Sequence, residues 1–169
     1  MKPKIKIIYS GYYRSQITLP MVKHVQKYLK KIDYDIICVD GSFEIPFAIS
    51  RSIKEDTINN ETKLGSFKGK GKEKIRDNIV QIAKLSQLNI ENQCIYSGYL
   101  ALGCIIKGKT INHEAMSTAI FINLQRISIE NNMPIGNGIF NANNMDEAKK
   151  KYKKCANQAA NVIHNLLNY

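Results

Sequence analysis

Tyr99-Leu100-Ala101-Leu102, then Gly103-Cys104-Ile105-Ile106-Lys107-Gly108-Lys109-Thr110, then Ile111-Asn112-His113-Glu114, is the stretch on which the fold turns. The apolar run 99–102 reads as a buried parallel strand, the glycines, lysines and threonine after it as a loop at its carboxyl end, and a helix pattern follows. In an open α/β sheet ligands bind at that place, because backbone N–H groups at the start of the next helix point toward an anion. Gly108 lets the chain approach a phosphate closely, Thr110 offers a hydroxyl, and Lys107 and Lys109 supply charge. The same residues also suit a solvated loop.

Upstream, Lys4 to Tyr9 alternates and then turns apolar, as a strand entering a sheet does. Ser10-Gly11-Tyr12-Tyr13-Arg14-Ser15 follows as a loop in which Tyr13 either stacks on a planar heterocycle or simply packs. Ser15 is placed to cap a helix with Pro20 in its early part and Leu19, Val22, Val25, Leu29 and Ile32 along one face. Tyr34 to Val39 reads as a second strand, ended by Asp40-Gly41-Ser42-Phe43-Glu44-Ile45-Pro46. In that turn Gly41 permits a sharp bend, Ser42 can cap, and Glu44 is either a cap partner or an acceptor for a polyhydroxy substrate. A short helix pattern runs from Phe47 to Ile53.

From Asp56 to Lys74 the pattern breaks, and Gly65 to Lys72 reads as a mobile lysine- and glycine-rich surface loop. Lys74 to Leu88 reads as a helix. Downstream of the central stretch, a helix is expected from about Glu114 to Glu130, with Met116, Ala119, Ile120, Leu124 and Ile127 inward and Asn131-Asn132 ending it. Pro134 to Phe140 reads as a last strand, and Asn143 or Asn144 caps a final helical region in which Lys149-Lys150-Lys151 and Lys153-Lys154 form a solvated face, from which one could still reach an anion. Strands alternating with helices imply an α/β fold, a three-layer α/β/α sandwich on a central parallel sheet. The loops around Tyr13, Gly41 to Glu44 and Gly103 to His113 then share one rim.

At 169 residues the chain suits one domain, 1–169, with the 54–93 segment inserted. No apolar run approaches the length of a membrane span and no signal peptide is recognisable, so a cytoplasmic protein without membrane contact is expected. Cys38, Cys94, Cys104 and Cys155 stand singly, without metal spacing, and are expected to be buried free thiols. The net charge of +11 invites a nucleic-acid reading. It accompanies Asn, Ile and Tyr throughout, as base-composition bias would produce, so no nucleic-acid partner is expected; steering of a small anionic substrate remains open.

Gly41-Ser42-Phe43-Glu44-Ile45-Pro46 and Ala101 to Thr110, in that order, resemble two specific segments of the lumazine synthase family. Pro134-Ile135-Gly136-Asn137-Gly138 with Asp146-Glu147-Ala148 resembles a third. The resemblance implies a flavodoxin-like sandwich and a homo-oligomeric transferase of riboflavin biosynthesis. It would condense 5-amino-6-(ribitylamino)uracil with 3,4-dihydroxy-2-butanone 4-phosphate, releasing phosphate and water with no cofactor and no metal. By matching position it places Tyr13 as the ring stacking on the pyrimidine, and Ser42, Phe43 and Glu44 around the ribityl chain and ring. Backbone groups of Cys104, Ile105 and Ile106 would recognise the heterocycle, and Lys109 and Thr110 the phosphate. Lys151 takes the place of a phosphate-holding arginine from the neighbouring subunit, keeping the charge without the bidentate fork. Asn137 replaces a neighbour's usually aromatic residue.

The proton-transferring histidine of the family corresponds to Asn112, with His113 one step on. Either a small shift brings His113 into the site, or the reaction proceeds without that group; asparagine does not shuttle protons near neutral pH. The sequence starts at its first sheet strand, without the extra strand that in many relatives pairs with an adjacent subunit. A homopentamer with sites at its interfaces is therefore expected, in preference to a larger icosahedral shell. The alternatives are a catalytically weakened homologue serving as a flavin- or lumazine-binding or scaffold oligomer, and an anion- or nucleic-acid-binding α/β protein driven by its lysines.

Overall fold

The computed structural model describes residues 3–29, 32–64, 95–109 and 111–168. Cys94, Thr110, the loop expected at 65–72 and the helix expected over 74–88 lie outside the described residues. The chain divides into two units, Met1–Ser52 with Tyr96–Tyr169, and Ile53–Ile95.

The first unit holds the sheet. Strands β1 (Lys4–Ser10), β2 (Asp33–Val39), β3 (Gly98–Ile106) and β4 (Ile135–Ala142) are parallel in the order β2-β1-β3-β4. This is the flavodoxin-like order, whose switch point lies between β1 and β3. Both central strands are closed in: Ile5, Ile7 and Ile8 of β1 and Tyr99 to Leu102 of β3 are fully buried, each large side chain contributing roughly 1.5–3 kcal/mol of apolar burial. Lys6, in the middle of β1, is accommodated because its ammonium donates to Ser52 Oγ at 2.9 Å and lies 4.8 Å from the Tyr96 ring centre.

Helices cover both faces. Alternate residues Ile5, Ile7, Leu100, Leu102, Cys104 and Phe140 share one buried cluster with Met21, Val22 and Val25 of α1 (Leu19–Val25) and with Ala156, Ala159, Ala160 and Ile163 of α4 (Met145–Leu167). On the other face the Tyr99 hydroxyl donates to Ser52 Oγ of α2 (Ile45–Leu64) at 3.1 Å. There too Ser117 of α3 (Asn112–Glu130) lies 2.8 Å from Asn141 Oδ1 of β4. The alanines of α4 meet glycines of β4: a Cβ on Gly136 would lie 2.5 Å from the Ala159 carbonyl oxygen. Asn144 caps α4 by accepting from Glu147 N at 2.9 Å, while Glu147 accepts from Asn143 N at 2.8 Å.

Several boundaries differ from expectation. Gly103 to Ile106 is strand, not loop, because the ladder with β4 carries on from Gly103–Ile139 to Ile106–Ala142. The helix begun at Ile45 continues to Leu64, past the expected break at Asp56, since neither glycine nor proline interrupts it before Gly65. The first helix is shorter: α1 ends at Val25, and Arg14–Thr18 before it forms a π turn in which Ser15 caps nothing. Helix α3 begins two residues early, at Asn112, and β4 continues to Ala142. Cys38 is exposed and Cys155 half-buried, against the expectation of buried thiols; β2 is an edge strand, so among the described residues one flank of Cys38 has no neighbouring strand. Cys104 is buried.

Candidate functional site

At the carboxyl ends of β1, β2 and β3 the three expected turns meet. The end of β1 is tied to the end of β2 by Gly11 N donating to the Val39 carbonyl at 2.6 Å. The end of β2 rests on β3: Ser42, which opens a 3-10 turn Ser42–Glu44 leading into α2, sits directly over Gly103. A Cβ on Gly103 would lie 2.5 Å from Ser42 Oγ and 3.3 Å from Ser42 Cβ, so the glycine there makes room for the neighbouring turn. Ser42 is 6% exposed, and its Oγ has no hydrogen-bond partner among the described residues. A buried hydroxyl in that state retains a full capacity to bond a ligand.

Tyr13 comes from the β1 turn. Burial pushes its phenol pKa up, and the neighbouring Tyr12 and the Cys104 thiol of β3 add to the shift. Its ring packs edge-on against Tyr12, centres 4.7 Å apart, and against the buried cluster. Its backbone is left-handed, φ 55°, a conformation that costs a tyrosine on the order of 1–3 kcal/mol. Arg14 follows, its guanidinium 6.0 Å from the Tyr9 ring centre.

Between these turns β3 presents one side of its backbone. Its ladder with β1 ends at the pair Tyr9–Leu102, four residues before its ladder with β4. Along Gly103 to Ile106 the β1 side of β3 therefore faces the switch-point crevice, offering backbone donors and acceptors at strand spacing. Cys104 itself turns inward, and burial, followed by the influence of Cys155, drives its thiol pKa up to about 12. Ile105 is buried and Ile106 half-buried. The turn that leaves β3 is exposed at Lys107, Gly108 and Lys109, and a Gly108 side chain would meet nothing within 4 Å.

Helix α3 begins with both proton-transfer candidates. Asn112 is exposed. The His113 side chain is 13% exposed, with Nε2 3.7 Å from Glu114 Oε1, and lies on the line that also buries Ser117, Ile120 and Leu124. Its carbonyl accepts from Ser117 Oγ at 2.5 Å, which ties the first turn of α3 to Asn141. Phe43 and Glu44 are exposed, Phe43 by 60%.

Two further candidates lie on β4 and α4. Asn137, exposed on β4, is level with Ala101, and its Oδ1 accepts from Ile139 N at 2.9 Å. Five residues separate Ala101 from Ile106, roughly 16 Å of strand. Lys151 lies on the exposed side of α4, paired with Glu147, whose carboxyl is held down to about 2 by Lys151 and then by Asn143. Thr110 lies outside the described residues. The residues of Arg14–Thr18 carry no local signal for a π turn, and only the register reveals the open edge of β3. A cavity of about 670 Å³ lined by Lys4, Gln26, Leu29 and Tyr34 among others opens at the opposite end of the sheet and contains none of the candidates. Among the described residues no helix is long and apolar enough to cross a membrane.

Residues 76–169 match the family model described as 6,7-dimethyl-8-ribityllumazine synthase. A protein of that name from Bartonella bacilliformis is 25% identical over 156 residues, 91% of this chain and 78% of its own length. One from Buchnera aphidicola is 46% identical over 59 residues, 35% of this chain and 37% of its own. One from Afipia carboxidovorans is 29% identical over 117 residues, 69% of this chain and 52% of its own.

Proposed function

The chain belongs to the 6,7-dimethyl-8-ribityllumazine synthase family, and on that premise we propose that its switch-point rim condenses 5-amino-6-(ribitylamino)uracil with 3,4-dihydroxy-2-butanone 4-phosphate, releasing phosphate and water. The observation that carries this is the meeting of three turns at one place: Gly11 on Val39, Ser42 on Gly103, and Tyr13 beside Cys104. Tyr13 stacks on the pyrimidine. The open backbone edge of Cys104, Ile105 and Ile106 takes its polar edge, and Ser42, Phe43 and Glu44 hold the ribityl chain. Lys109 and Thr110 hold the phosphate, whose departure their charge and hydroxyl assist.

Schiff-base formation, phosphate loss and ring closure join two reactive partners, so holding them together supplies much of the acceleration. Proton transfer falls to His113, the member of the pair whose ring nitrogens can both accept and donate a proton; Asn112 only hydrogen-bonds. Asn137 and Lys151 act in a neighbouring copy's site, which for Asn137 is supported by its place level with Ala101, back along the strand from Ile106. Phe43 and Phe47, one helical turn apart and 60% and 68% exposed, support burial against that copy. The assembly is a homopentamer.

Purified protein is incubated with both substrates and lumazine absorbance is followed after subtracting the spontaneous reaction. Turnover above background is expected. His113→Ala should slow it about a hundredfold or more, and an unchanged rate refutes that role. A second reading, a lumazine-binding homologue without catalysis, draws on the exposed Asn112 at the family's histidine position. Tight product binding with no turnover would establish it.

A further inference from the structure

The turn that carries Tyr13 is closed by a hydrogen bond no motif announces. Thr18 is completely buried, and its Oγ1 donates to the Ser10 carbonyl at 2.6 Å, joining the end of β1 to the end of the π turn. Ser10 is equally buried, and its own hydroxyl accepts from Tyr12 N at 3.2 Å. Inside this closed loop the Tyr13 carbonyl accepts from both Ile17 N, at 2.9 Å, and Thr18 N, at 3.4 Å. Four hydrogen bonds thus surround the one residue of the turn whose backbone is left-handed. A conformation that tyrosine does not favour persists only where its surroundings over-determine it, and π turns recur where a side chain must be aimed.

We propose that Thr18 is a positioning residue whose hydroxyl, by holding the Ser10 carbonyl, keeps Tyr13 aimed at the heterocyclic substrate. This rests on the reading of Tyr13 as the stacking residue. Thr18 touches no substrate itself. Valine has the shape of threonine without its hydroxyl, so Thr18→Val keeps the packing, leaves the Ser10 carbonyl without this donor and frees the turn. Serine retains the donor and loses only a methyl group.

The test measures KM for each substrate separately, well below the unfolding temperature. In Thr18→Val, KM for 5-amino-6-(ribitylamino)uracil should rise about tenfold, the scale of one aromatic stack. KM for the butanone phosphate should stay within about twofold, and Thr18→Ser should behave as wild type. Equal shifts in both KM values, or none, overturn the inference. Hydrogen exchange on wild type covers the case in which Thr18→Val does not fold. Adding 5-amino-6-(ribitylamino)uracil should slow exchange of the Ile17 and Thr18 amides, and unchanged exchange overturns the inference. Absence of turnover in the wild type refutes the function itself, a failure distinct from normal turnover with an insensitive Thr18→Val.

Discussion

Gly103→Ala tests the contact that joins the β2 turn to β3. The added methyl would lie 2.5 Å from Ser42 Oγ, 3.3 Å from Ser42 Cβ and 3.3 Å from Ile139 Cγ1. The hydroxyl contact is the tightest of the three and the two carbon contacts are tight as well, and β3 cannot retreat because its ladder to β4 runs through Gly103. Overpacking of this kind costs about 1–3 kcal/mol, which for a chain of this size lowers Tm by roughly 2–12 °C. Ser42→Ala alone should be nearly neutral or slightly stabilising, since it removes a buried hydroxyl with no partner among the described residues. Combined, the two substitutions should be less harmful than their sum by at least about 0.5 kcal/mol. Urea unfolding of the four proteins measures the cycle. A neutral Gly103→Ala, or strict additivity, would refute the proximity on which the rim is built.

Gly136→Ala should destabilise more than Gly103→Ala, because the methyl meets a helix backbone oxygen at 2.5 Å that no rotation can move; urea midpoints compare them. Glu147 is ionised down to about pH 2 when folded and to about 4.5 when unfolded, so its contribution is present above pH 4.5 and lost as pH falls through 2. Acid titration of Glu147→Gln should accordingly show a shallower loss of stability across that window, and an unaltered slope would contradict the pairing with Lys151 and Asn143. With iodoacetamide at pH 8, the exposed Cys38 should label well before Cys104, whose thiol is buried and raised to about 12; equal labelling, read by mass spectrometry, would contradict the inward orientation of Cys104. Asn112→His should raise turnover if position 112 faces the substrates, while an unchanged rate with a sensitive His113→Ala leaves the role with His113.

The turns at Tyr13 and at Gly41 to Glu44 were legible because strong apolar strands end abruptly in glycine, serine and proline. Gly103 misled because its reason is steric and non-local: it leaves room for Ser42, not for a bend, and nothing near it in sequence says so. The exposure of Cys38 follows from strand order, which places β2 at the edge, and strand order depends on contacts far apart in sequence. The left-handed Tyr13 is likewise held by Thr18 and Ser10, and neighbouring residue types do not encode it. Helix boundaries slip where propensity is weak, as at Asp56 to Leu64, whereas the cap of α4 at Asn144, one of the two asparagines expected there, follows from local chemistry; the packing of the α4 alanines on the β4 glycines is non-local and not among the expectations.

Hydrogen exchange with and without 5-amino-6-(ribitylamino)uracil reads all three turns in one experiment. The account predicts slowed exchange together in peptides spanning residues 10–18, 40–46 and 103–109. Protection confined to the opposite rim, around Lys4, Gln26 and Tyr34, or none at saturating ligand, would contradict it.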